Sequence, residues 1–262
     1  MIFVFYLIIG FVLSQFAAIP SPLAQEDPIV RYTKSIKENP NDASAYFERG
    51  KILASKGKHD QAISDFTKVV ELQPDFVEAY LERGDAYYSK GQYDQAISDC
   101  SKAQKLNPNN VHAYIIRGLA FSDKGQYDQA INDFTTALTI NPKLPFPYIF
   151  RATAYYDKKE YKLAINNLDK AIALAPNDAN SYYMRGNAYM GISFYDQAIS
   201  DFTKTIELDP NHADAFLERG VVYVQVRQYD KAKKDLEKAI SLDPQGRIGQ
   251  DARKELGRIK GK

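Results

Sequence analysis

Cysteine, tryptophan and histidine are nearly missing from this chain of 262 residues, and each shortage removes a class of function. With Cys100 as its single cysteine, one chain can form no internal disulfide, no thiolate metal site and no paired-cysteine redox centre. Its three histidines, His59, His112 and His212, stand far apart in the sequence. No HExxH, Walker-type glycine loop or GxSxG accompanies them. Neither sign of charge dominates either. The balance is 34 basic against 33 acidic side chains, so there is no global field to draw the protein onto nucleic acid or an anionic bilayer. No catalytic residue, metal ligand or cofactor is therefore expected, and the chain is read as a non-enzyme. Cys100 reads as a small buried hydrophobe.

Long apolar runs are also scarce, with one exception. Ile2 to Leu13 is broken only by Gly10 and is followed by small residues and the breaker Pro20, Ser21, Pro22. That length suits a secretory signal and is short for a spanning helix, which needs about 20 apolar residues. Residues 1–26 are set apart as a signal peptide, implying a secreted or periplasmic protein. The alternative is a membrane anchor over residues 1–19, with Arg31, Lys34 and Lys37 behind it. Either way, membrane contact is expected only through this segment.

What the chain does have is a period. Prolines fall at 40, 74, 108, 142, 176, 210 and 244, always 34 residues apart, and bound six units: 43–76, 77–110, 111–144, 145–178, 179–212 and 213–246. Let each unit be numbered so that its closing proline is position 32. Position 8 is then Gly or Ala, and position 20 is always Ala. Position 4 is Tyr or Phe, and position 24 is Phe, Leu or Cys. Two antiparallel helices joined by a turn near position 15 would set small residues 8 and 20 against each other, and large residues 4 and 24 likewise. The turns read KGKHD, KGQYD, KGQYD, KKEYK, ISFYD and VRQYD, where glycine supplies a left-handed C-cap and aspartate favours the start of the second helix. Arginine at position 7 recurs with aspartate at position 23, which implies an ion pair either within each hairpin or to its neighbour. Residues 27–42 read as an N-terminal capping helix, and 245–262 as a C-terminal one.

Strings such as YLERGDAY with AISDC, or YIIRGLAF with AINDF and Pro142, resemble the tetratricopeptide repeat in period and pattern, except that arginine replaces leucine at position 7 throughout. The resemblance covers residues 43–244. It implies an all-α, right-handed superhelical solenoid of six helix-turn-helix repeats with capping helices at both ends. It also implies that the first helices line a concave surface and present positions 2, 5, 9, 12 and 13 to a bound protein or peptide. Carried onto this chain, the groove comprises Phe47, Leu81, Tyr88, Ile115, Leu119, Ile149, Tyr156, Tyr183, Asn187, Met190 and Leu217. Relatives that clamp acidic tails use lysine at position 5 and asparagine at position 9. Here lysine never occupies position 5 and Asn187 stands alone, so an apolar or amphipathic segment is expected instead. The expected function is a protein-interaction scaffold. A self-associating structural subunit of an envelope or membrane-associated assembly is the alternative.

Overall fold

The computed structural model describes residues 26–259, so the expected leader or anchor lies outside the described residues. Fourteen α-helices and no strand make up that span. A short helix α1 (Pro28–Glu38) precedes six hairpins: α2 (Ala43–Ser55) with α3 (His59–Leu72), α4 (Val77–Ser89) with α5 (Tyr93–Leu106), α6 (Val111–Asp123) with α7 (Tyr127–Ile140), α8 (Pro145–Asp157) with α9 (Tyr161–Leu174), α10 (Ala179–Gly191) with α11 (Tyr195–Leu208), and α12 (Ala213–Gln225) with α13 (Tyr229–Leu242). A last helix, α14 (Arg247–Ile259), follows. None is long and apolar enough to cross a membrane.

The boundaries follow from local chemistry. Side chains of Asp42, Asn110 and Asp178 cap α2, α6 and α10 by accepting an amide hydrogen three residues on. The turn inside each hairpin needs one left-handed residue. Gly57, Gly91 and Gly125 supply it at φ 72° in the first three hairpins. In the last three, Lys159, Ser193 and Arg227 take the same conformation at φ 60–61°, although each carries a Cβ. Neighbouring hairpins dictate the turn, and three of its residues comply at a cost.

The expected small-on-small seam is corrected by the packing. A Cβ placed on Gly50, Gly118 or Gly186 would lie 2.6–2.7 Å from the ring of Phe66, Phe134 or Phe202, so position 8 is bare because the position 24 ring rests on it. Position 20 still comes near, the Gly84 Cβ site lying 3.6 Å from the Ala96 carbonyl oxygen. The two helices of a hairpin are offset along their axes, and a period cannot report that offset. Where position 8 is Ala152, position 24 shrinks to Leu168.

The arginine at position 7 serves both partners that the sequence left open. Arg49, Arg83, Arg117, Arg185 and Arg219 each donate from Nε and Nη2 to both oxygens of the position 23 aspartate in their own hairpin, at 2.6–2.9 Å. Nη1 reaches position 25 of the preceding second helix, for example Arg83 to Thr67 at 3.1 Å and Arg117 to Ser101 at 2.9 Å. Each guanidinium also lies 5.6–6.0 Å from the centroid of the position 4 ring. Desolvation offsets much of the attraction in such a half-buried pair, so the ladder chiefly fixes geometry.

The ends are half-hairpins. Thr33 of α1 accepts from Arg49 as a position 25 residue would, so α1 fills the place of a preceding second helix. Helix α14 begins 34 residues after α12 and packs on α12 and α13, in the place of a seventh first helix. It carries Gln250 and Lys254 at positions 4 and 8, where the hairpins have an aromatic and a small residue.

Candidate functional site: the inner face of the first helices

Successive first helices touch one another along most of the stack, whereas successive second helices do not pack together. The stack therefore bends with α2, α4, α6, α8, α10 and α12 on its inside. Helices α8 and α10 approach each other slightly less closely than the other neighbours, at the one hairpin that holds Pro145 and Pro147.

The expected groove residues all belong to these first helices, and their burial differs. Leu81, Ile115, Leu119 and Met190 are half-buried, and Tyr156 is 38% exposed with its ring edge-on to Tyr161 at 5.2 Å. Others serve the stack as well. Tyr88 donates its hydroxyl to Asp123 of the next hairpin at 2.8 Å. Tyr183 lies 4.7 Å from the ring of His212 and 5.9 Å from that of Phe202, is hydrogen-bonded to Asn187, and has its phenol pushed up to about 12 by burial. Phe47 packs on Phe76 at 4.8 Å and on Phe66, so it belongs as much to the core as to the surface. Ile149 is 9% exposed.

Leu217 must be withdrawn from the groove. It is 4% exposed and sits in a cluster with Ala252 and Ile259, packed against Ile248 and Leu256 of α14. The terminal helix covers that position.

The structure also shows a feature that the position list missed. A cleft of about 390 Å³ opens between Pro145, Phe146 and Ile149 at the start of α8 and Ala175 to Asp178 in the loop between α9 and α10. Phe146 is 48% exposed there. The off-pattern prolines were the signal available in the sequence.

The face carries charge of mainly one sign. Apart from the position 7 arginines, which are committed to the ladder, Lys51 is the one Lys or Arg in the six first helices. Against it stand Glu48, Glu82, Asp85, Asp123, Asp157 and Glu218. Glu48 pairs with Lys51 at 3.5 Å, and Asp123 accepts from Tyr88. Desolvation by the surrounding side chains raises the carboxyls of Glu82 and Glu218 above their ordinary range, with nearby acids adding to this, and it acts in the same direction on Asp85 and Asp157, which are exposed residues.

Nothing in this arrangement resembles a reaction centre. Cys100 is fully buried and its thiol is pushed up to about 12 by desolvation, so no thiolate forms at neutral pH. Among the described residues no group of His, Cys, Asp and Glu is disposed to hold a metal ion.

Sequence models of the tetratricopeptide repeat (TPR) match residues 77–110, 111–144 and 213–245, and further models of the same repeat match 32–64, 50–91, 152–192 and 179–212. The chain belongs to the tetratricopeptide repeat family. No curated protein matches it in sequence. Among solved structures it is similar to YrrB, described as a TPR protein with an unusual peptide-binding site, at 28% identity and a TM-score of 0.61, over 72% of this chain and 97% of that one. It is also similar to MamA, at 30% identity and a TM-score of 0.59, over 62% of this chain and 94% of that one. A TPR protein of Cytophaga hutchinsonii shares the fold at 22% identity and a TM-score of 0.71, over 86% and 92%. The TPR fold is that of protein–protein interaction scaffolds, which in general do no chemistry of their own.

Proposed function

We propose that this TPR solenoid is a non-catalytic adaptor that holds an apolar or amphipathic polypeptide segment along the inner face of α4, α6, α8 and α10. One observation carries it: apart from the buried Ile149, side chains at positions 5, 9 and 12 of these helices remain at least partly exposed, while the equivalent Leu217 is sealed by α14. A buried apolar anchor contributes about 1.5–3 kcal/mol before ordering costs, so three or four such positions suffice for a specific complex. Likeness to a structure described as having a peptide-binding site supports the same assignment. The apolar run Ile2 to Leu13 supports work outside the cytoplasm or at a membrane.

The test is crosslinked capture of partners by the full chain, followed by mass spectrometry, with wild type compared to Leu119→Ser/Tyr156→Ser. The variant is expected to keep its helical circular dichroism and lose the captured partner. Undiminished capture would move the binding surface elsewhere. Light scattering should give a monomer; a stable dimer abolished by the same substitutions would establish self-association instead.

A further inference from the structure

We infer that the segment held in the groove is cationic as well as apolar: an amphipathic stretch whose lysines and arginines flank one or two large apolar anchors. This inference rests on the groove assignment above and adds the chemistry of the occupant.

Charge complementarity carries it. The chain is almost neutral overall, yet its charges are sorted by helix. Lysines recur at position 26 of the second helices, as Lys68, Lys102, Lys170, Lys204 and Lys238, whereas the first helices hold almost none. The inner face thus presents carboxylates with little to neutralise them. Glu82, Asp85, Asp157 and Glu218 form no ion pair among the described residues, although Lys51 and His112 lie near Glu82, and His59 and His112 near Asp85. Helix α14 sets Asp251 and Glu255 near Glu218; Glu255 is paired with Arg258, and Arg247 is taken up by Asp214 at 3.1 Å and by Asp251.

The carboxylates flank an apolar middle. Position 6 reads Glu48, Glu82, Ile116, Phe150, Met184 and Glu218, with acids toward both ends and apolar side chains between them. The cleft beside Phe146 and Ile149 lies in that middle stretch and is large enough for one bulky apolar side chain. A concave, partly desolvated surface of one sign steers oppositely charged segments toward it and repels like-charged ones. An acidic tail would meet Glu82, Asp85 and Glu218, with Lys51 beside the first and Arg247, already taken up by Asp214 and Asp251, beside the last.

The probe is a fluorescein-labelled helical peptide of about 15 residues, with a Leu/Phe stripe flanked by lysines, set against the same peptide with every lysine replaced by glutamate. Anisotropy titrations on the full chain should show the lysine peptide binding at least about tenfold more tightly, and weakening as salt is raised. The variant Glu82→Gln/Asp85→Asn/Glu218→Gln should bind the lysine peptide about tenfold less tightly with circular dichroism unchanged. Equal binding of both peptides, lost in Leu119→Ser/Tyr156→Ser, would overturn the charge inference and leave the groove intact. Binding by neither peptide, or binding indifferent to Leu119→Ser/Tyr156→Ser, would overturn the groove assignment and the inference with it.

Discussion

Hairpins three and four run over nearly the same backbone with different chemistry. In the third, the Phe134 ring rests on Gly118, Arg117 grips Asp133 with two hydrogen bonds, and Gly125 makes the turn at φ 72°. In the fourth, Leu168 stands opposite Ala152, Arg151 makes one 2.8 Å bond to Asn167, and Lys159 takes the turn at φ 61°. The electrostatic consequence is opposite in sign. Hydrogen bonding to Asp133 raises the pKa of Arg117, while burial lowers that of Arg151, which has no carboxylate partner in its own hairpin. The fourth hairpin nevertheless stacks on both neighbours. A single unit of a solenoid can therefore depart from the preferred chemistry because the units on either side impose its shape. The price appears locally, as a strained turn and an arginine without a carboxylate in its own hairpin.

The comparison breaks most readily at the ring. Gly118→Ala places a Cβ 2.6 Å from Phe134 and should cost about 2 kcal/mol in urea unfolding. Adding Phe134→Leu should recover much of that loss, since the pair then matches the fourth hairpin. Full additivity of the two losses would show that ring and glycine are not coupled.

Next comes the ladder. Asp133→Asn, which gives the third hairpin the fourth's chemistry, should cost about 1–2 kcal/mol. Asn167→Asp should stabilise by less, because Asn167 also donates to the Leu163 carbonyl at 2.8 Å and an aspartate would lose that bond. Equal and opposite effects would mean that the carbonyl bond contributes nothing.

The turns give a smaller effect of opposite sign. Lys159→Gly should raise stability by about 0.5–1 kcal/mol, and Gly125→Ala should lower it by a similar amount. A destabilised Lys159→Gly would indicate that the Lys159 side chain contributes more than its backbone strain costs.

Smallest is the charge at the far end of the stack. Burial, followed by Asp214, Asp251 and Glu255, holds the Glu218 carboxyl above its ordinary range, with Arg247 opposing. A carboxyl with a raised folded pKa binds its proton more tightly in the folded state, so the folded protein is penalised once it ionises and relieved as the pH falls through that pKa. Glu218→Gln should then be more stable than wild type at pH 7 by a few tenths of a kcal/mol, the advantage fading in mildly acid solution. An advantage that persists at acid pH would trace to packing rather than charge.

Particular residues show how far the sequence could be read. The seven prolines mark the hairpins to within a few residues, because a period of 34 repeated in register has no explanation other than stacked units. The pairing of Arg49 with Asp65 was legible too, since both positions recur together. The rest of the arginine's role was not: Thr33, Thr67 and Ser101 share only a small hydroxyl, which gives little reason to single them out. Of the residues expected to line a groove, Leu119 and Tyr156 keep exposed surface, but Leu217 occupies an equivalent place and is buried. Only the docking of α14 distinguishes it.

The sequence by itself determined the number of hairpins, their boundaries and the identity of the recurring contacts, because helix periodicity and repeat registration are properties of a single chain read along its length. Tertiary structure decided the axial offset that sets a ring on glycine, which surface lies inside the curve, and which of the equivalent positions α14 covers. Those depend on distances between residues in different hairpins, and such distances are settled by close packing in three dimensions rather than by any pattern along the chain.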